Sequence, residues 1–329
     1  MSTTRPTFSV LAIVTWLPLF SLALALATGS DGLSWSTTIS ALTGSGDPLQ
    51  RDIILSLRLP RALAAFGCGA LLALAGTVLQ AILRNPLADP FVLGISSGSS
   101  ALSLLAMLLG AGMLMTSLAG IVGALLSLAI LFALAWQGGL LPTRLLLAGV
   151  ILSSAWGAMI TLMLALAPDA PLRGMVFWLM GDLAAASTTS ALVVLAASVI
   201  ALGSIWPLAQ SLDAVGRGET MAASLGVRTT MLRLVCLLLA SCATAIVVLT
   251  AGSIGFIGLI VPHLLRLAGV RRHRWLLPAS AIGGGSLLIL ADLLARALVA
   301  PLQLPIGALT ALLGTPLFLW LLTRTAQAR

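Results

Sequence analysis

Apolar residues run along this chain in blocks of about 20 residues, each closed by a short polar interval rich in Arg, Gly, Pro or Asp. A block of that length is what a helix needs to cross the hydrocarbon core of a bilayer. The blocks are too long and too uniform for barrel strands, which are short and alternate. The pattern predicts ten spans, over about 8–28, 62–83, 92–110, 113–136, 145–167, 187–207, 229–250, 255–268, 276–297 and 306–323. The third and eighth are short or Gly-rich. The expected fold is an all-α polytopic membrane protein, with a single transmembrane domain over 1–329. Ten spans place both termini on one side of the membrane.

The intervals carry most of the information. Residues 29–60 form a loop with room for a short surface helix, and residues 208–228 form the longest loop on the other side. The latter holds Glu219, the sole Glu of the chain; Met221, Ala222, Ala223 and Leu225 favour a helix, and Gly226 is suited to stop it. It reads either as a solvated connector or as a docking helix. The stretch "LRNPLADPFVLG" (83–94) sets two prolines, Asn85 and Asp89 between apolar runs, so it breaks one helix and delays the next. The first span has a rival reading. Arg5, an apolar run and "ALA" at 25–27 resemble a cleaved secretory signal, but the run is longer than a usual signal core, and a retained helix is expected. The two halves each hold an Arg-flanked long span followed by a Gly-rich break. The similarity is weak, and one reading of it is an inverted repeat of two five-helix halves.

Composition sharpens this picture. Hydrophobic residues make up 60% of 329 and charged residues only 8%, against about 25% charged in soluble domains. The net charge of +8 does not point to nucleic acid. All 17 basic residues are Arg, none is Lys, and most lie between apolar runs. With the N-terminus inside, the cytoplasmic side receives most of them, including "RRHR" at 271–274. The outer side receives Arg51, Arg58, Arg61, Arg173 and Arg296. Cys68, Cys236 and Cys242 sit in apolar runs and read as small hydrophobes, with no disulfide framework.

Candidate chemistry is sparse. Without Lys the chain has no P-loop, so ATP hydrolysis, if used, belongs to a separate subunit. There is no H-E-x-x-H, and neither a metal nor a cofactor is expected. Asp292 lies within an apolar run with Arg296 one helical turn on, an internal ion pair that holds the acid ionised. Asp292 is also the one deep acid that an ion-coupled secondary transporter would use. Arg173 and Asp182 flank "GMVFWLMG". Trp178 is either an interfacial anchor or, with Arg173, part of an entrance for an anionic substrate.

These motifs together identify a family. The stretches "LRLPRALAAFGCGALLALAGTVLQAILRNPLADPFVLGISSG" (57–98), "RLLLAGV" (144–150), "FWLMGDL" (177–183), "GETMAASLGV" (218–227), "GSIGFIGLIVPHLLRL" (252–267), "LLPASAIGGGSLLILADLLAR" (276–296) and "LPIGALTALLGTPLFLWLL" (304–322) are collinear. In them the chain resembles the FecCD/BtuC-type permease subunits of bacterial type II ABC importers, the iron-siderophore, haem and cobalamin uptake class. The resemblance implies ten helices per chain in the bacterial inner membrane and a homodimer around a central pathway. It also implies two cytoplasmic ATPase subunits and a periplasmic substrate-binding protein. It assigns Arg58, Arg61 and Arg296 to docking of the binding protein. Asn85 and Leu87, with Pro142 and Thr143, fall to the inner gate, although Pro142 departs from the polar dipeptide expected there. Glu219, Ala222, Ala223, Leu225 and Gly226 fall to the coupling helix seated on the ATPase. Among substrates, haem or another iron chelate is preferred to cobalamin, because Arg173 suits propionates and Met175 and Met180 suit a flat apolar ligand.

Overall fold

A computed structural model of the chain describes residues 8–28, 35–136, 140–299 and 302–326. Arg5, Arg329 and the first part of the expected 29–60 loop (29–34) lie outside the described residues. Among the described residues the regular structure is helical throughout, without a strand. In chain order the helices are α1 (Phe8–Ala27), α2 (Trp35–Thr43), α3 (Pro48–Asp52), α4 (Leu59–Ile82), α5 (Ile95–Leu108), α6 (Met113–Trp136), α7 (Pro142–Leu166) and α8 (Asp169–Leu179). They continue with α9 (Thr188–Ile205), α10 (Ala209–Gly216), α11 (Glu219–Ser224), α12 (Thr229–Ala251), α13 (Ile257–Leu267), α14 (His273–Ala297) and α15 (Ile306–Ala326).

Six stretches are long and apolar enough to cross a membrane by length and composition: Pro48–Ile82, Met113–Trp136, Pro142–Leu166, Thr188–Gly216, Thr229–Ala251 and His273–Ala297. Shorter apolar helices, Ala12–Ala27, Ile95–Leu108, Ile257–Leu267 and Ile306–Pro316, fall on the remaining expected spans. The first long stretch begins well before the expected span at 62. A π-helical turn over Ile53–Arg58 joins α3 to α4 without a break. Pro60 has no N–H to give, and the wide turn before it accommodates the missing helical bond.

α4 is the buried axis of the molecule. Its residues are almost all enclosed, and α1, α9, α12, α13 and α14 pack around it. Small residues make this possible. A Cβ on Gly69 would come within 2.2 Å of the Gly284 carbonyl oxygen on α14, and one on Gly76 within 2.1 Å of the Gly258 oxygen on α13. Backbones this close gain van der Waals contact, which holds helices together in lipid where the hydrophobic effect cannot. By contrast α6, α7 and α9 present rows of exposed Leu, Ile and Val, such as Leu147, Ile151, Val199 and Ile200. That surface suits a hydrocarbon solvent. The molecule thus has an arginine-rich end, with Arg84, Arg217 and Arg271–Arg274, and an opposite end with Arg58, Arg61 and Arg296.

Candidate functional site

The 83–94 segment is a chain of tight turns. Arg84 adopts a left-handed backbone (φ 47°), and the Asn85 N–H reaches back to the Gln80 carbonyl. The Asn85 side-chain oxygen then accepts from the Leu87 N–H at 2.9 Å. Four residues on, the Asp89 carboxylate accepts from the Phe91 N–H, again at 2.9 Å. Asn and Asp are the side chains that cap turns in this way. Gly94 (φ 79°) turns the chain into α5. The carbonyls left outside helices are met by side chains of neighbours. Ser153 of α7 donates to Phe91 O at 2.9 Å, and Ser127 of α6 donates to Gly94 O at 3.0 Å. Irregular backbone at membrane depth is tolerated when protein covers it in this manner.

A second break mirrors the first. After α12 the chain runs through 252–256, turns at Phe256 (φ 70°) and opens the short helix α13. The two breaks converge. Asp89 is buried, and its carboxylate lies 3.1 Å from where a Cβ on Gly258 would sit. Gly258 faces Gly76, which is 15 residues beyond Arg61 and so about 22 Å along α4 from the opposite end. α13 therefore begins alongside α4, six residues before that helix ends, and not beyond its end. The two broken segments border a cavity of about 480 Å³ lined by Asp89, Phe91, Met180, Phe256 and Gly307, among others. Among the described residues Asp89 has no cationic partner.

At the opposite end sits an ion network. Arg61 Nε donates to both oxygens of Asp292 (2.9 and 3.1 Å), Arg61 Nη2 lies 2.8 Å from Asp292 Oδ1, and Arg61 Nη1 donates to Gln303 at 3.0 Å. Arg296 Nε lies 3.2 Å from Asp292 Oδ2, and Asp182 stands 3.8 Å from Arg61. Arg58 donates to the Leu26 carbonyl of α1 at 3.0 Å. The internal pair expected between Asp292 and Arg296 is present, with Arg61 as a further partner that sequence spacing did not suggest. Arg58 and Arg61 are buried in the single chain, and Arg296 is partly exposed.

At the arginine-rich end, α11 is short and two-sided. Ala222 is buried, whereas Met221, Ala223, Leu225 and Gly226 are exposed, with Gly226 at φ 78°. Glu219 ion-pairs with the enclosed Arg233 of α12, and Arg84 of the 83–94 segment approaches the same carboxylate at 3.9 Å. One carboxylate thereby ties α11 to the turn that carries Asn85 and Leu87. Leu87 is exposed (43%) and Asn85 half-buried. Pro142 and Thr143 open α7, where a proline's missing N–H costs nothing. The 83–94 segment meets α7 further along, at Ser153. Arg173 is exposed on α8. Trp178, half-buried, lines a separate cavity of about 270 Å³ with Ser103, Thr116 and Leu249, so α8 does not bring Arg173 and Trp178 to one lining.

Sequence reasoning missed three pairings. Gln80 of α4 donates to the Gly258 carbonyl (3.0 Å) and accepts from Arg266, crossing to α13. Asp213 of α10 receives both the His273 ring and its backbone N–H (2.6 and 3.0 Å). The third is the Arg233–Glu219 pair. The available signal was a Gln or an Arg inside an apolar run, which is functional or paired by default in a membrane.

Short helices entered through broken, protein-covered segments are found in transporter architectures. The model of the FecCD transport family matches residues 17–324. The chain belongs to that family. It is 42% identical over 316 residues to the hemin transport system permease HmuU of Yersinia pestis, covering 93% of each chain. It is 39% identical over 290 residues to the vitamin B12 import permease BtuC of Serratia proteamaculans, covering 87% of this chain and 85% of that one. Among solved structures it is similar to an inward-facing conformation of a metal-chelate type ABC transporter, with TM-score 0.87 and 33% identity over 96% of this chain and 99% of that chain. The all-helical membrane fold and the importer-permease family expected from the motifs are thus both found.

Proposed function

We propose that the chain is the membrane permease of an ATP-driven type II importer for a large metal chelate, haem or a ferric siderophore. The observation that carries this reading is the convergence of the two broken segments on the cavity beside Asp89. In this reading the arginine-rich end and both termini face the cytoplasm of a bacterial inner membrane, as the excess of Arg there favours. A second copy completes a central pathway. Two ATPase subunits seat on the exposed Met221, Ala223, Leu225 and Gly226 face of α11, with Ala222 packed behind it. A periplasmic binding protein docks at the other end. There Arg58, Arg61 and Arg296 outnumber the Asp182 and Asp292 they surround, so this cluster, though not the whole end, is locally net positive and suits acidic groups on the lobes. Arg61 already serves Asp292, so Arg296 is the better exposed donor of the three.

Closure of the ATPases would pull α11. Glu219 would pass that motion through Arg84 to the turn holding Asn85 and Leu87, the inner gate, with Pro142 and Thr143 on the facing helix. Arg173 serves at the periplasmic entrance, and Trp178 braces α8 above the cavity.

BtuC relatives keep a cobalamin reading alongside the haem reading supported by HmuU. The deciding experiment reconstitutes the complex and records ATPase rate with the binding protein loaded with haem, a ferric siderophore or cobalamin. Stimulation by an iron chelate is expected. Stimulation by cobalamin alone would replace this substrate assignment.

A further inference from the structure

Where α9 ends at the arginine-rich end, a short helical turn over Trp206–Leu208 leads into α10. Beside it α14 begins, and the two leave a groove of about 390 Å³. Its walls are apolar and smooth: Val199, Leu202 and Gly203 on α9, and Pro278 on α14. No atom lies within 4 Å of where a Gly203 side chain would start, so the trough is open at that point. Its mouth is closed by two half-exposed indoles, Trp206 and Trp275, with the Arg274 guanidinium 6.0 Å from each ring centre. The Trp206 N–H donates to the Arg274 carbonyl at 3.1 Å, which fixes the turn against α14.

The chemistry of this mouth is specific. Rings near a guanidinium engage its faces and leave its N–H edge to donate in plane, the edge that matches a phosphate. Arg274 has no ion pair among the described residues. The neighbouring acid is Asp213, and its carboxylate is taken by His273. Arg271 and Arg272, both exposed, add positive charge just before α14. An open apolar trough, two half-exposed indoles and a guanidinium without an ion pair among the described residues form a complementary set. Basic pockets between membrane helices on this kind of face take anionic headgroups.

We propose that this groove binds one anionic glycerophospholipid from the leaflet at the arginine-rich end. The phosphate meets Arg274, the glycerol region sits between Trp206 and Trp275, and an acyl chain follows α9 past Val199 and Gly203. The lipid would brace the point at which α9 passes into α10 and α11, the elements that face the cytoplasm in the reading above. The site depends only on the membrane fold and not on the cargo.

The test uses the full chain, purified and delipidated in detergent, with bound lipid counted by native mass spectrometry during titration. Phosphatidylglycerol and phosphatidylcholine with the same acyl chains are the probes, and inorganic phosphate is the competitor. One phosphatidylglycerol per chain is expected at concentrations that leave phosphatidylcholine unbound, and phosphate should not displace it. Arg274→Gln should weaken retention about fivefold, as loss of one basic residue at an anionic surface implies. Arg144→Gln, which removes an exposed arginine from the start of α7, should leave retention unchanged. Equal retention of the two lipids by the unaltered chain would overturn the proposal, as would full retention by a folded Arg274→Gln chain.

Discussion

Asp292 is enclosed between two guanidiniums, with Arg61 on α4 and Arg296 on its own helix. Removing the carboxylate leaves two like charges adjacent in a poorly solvated place. Asp292→Asn is expected to lose on the order of 3 kcal/mol, read by denaturant unfolding in detergent. The paired change of Asp292→Leu with Arg61→Met should cost clearly less, because the buried charge leaves with its partner. Asp213 is a different case, a half-exposed acid at the arginine-rich end that accepts from the His273 backbone N–H and meets its ring. Asp213→Ala is expected to lose about 1–3 kcal/mol, measured by thermal unfolding, because the start of α14 loses both contacts to α10.

At the scale of elements, the close approaches of α4 govern packing. Gly76→Ala would drive a methyl into the Gly258 backbone, where no flexible side chain can move aside. A loss of about 1–3 kcal/mol is expected, whereas Gly157→Ala on α7, where a methyl meets open space, should be neutral or slightly stabilising. Apolar runs placed the long helices because hydrophobic length is a local property. They missed the true start of the second span because Gln50, Arg51 and Asp52 are polar, although the helix continues through them. The late start of α5 was legible in part. Pro86 and Pro90 marked the break, but the backbone turn at Gly94 that sets the first residue was not visible. In the 208–228 loop the helical character around Glu219 was readable from composition, while its division into α10 and α11 depends on the Gly218 backbone.

For the whole molecule, the parts that sequence could not supply are long-range pairings. Spacing of one helical turn suggested Arg296 as partner to Asp292. Nothing local connects Arg61 to Asp292 across 231 positions, or Arg84 to Glu219. The site residues were reached through motifs, and the structure supplies the contacts that relate them. These are a turn that carries Asn85 and Leu87, a carboxylate that ties it to α11, and two broken segments that share a cavity lined by Asp89. The central claim is that this assembly moves its cargo only when a separate ATPase drives it. Uptake into proteoliposomes tests that most directly. With the ATPase, the loaded binding protein and ATP present, chelate should accumulate. The chain alone should move none under a proton or sodium gradient. Uptake by the chain alone, driven by either gradient, would contradict the account.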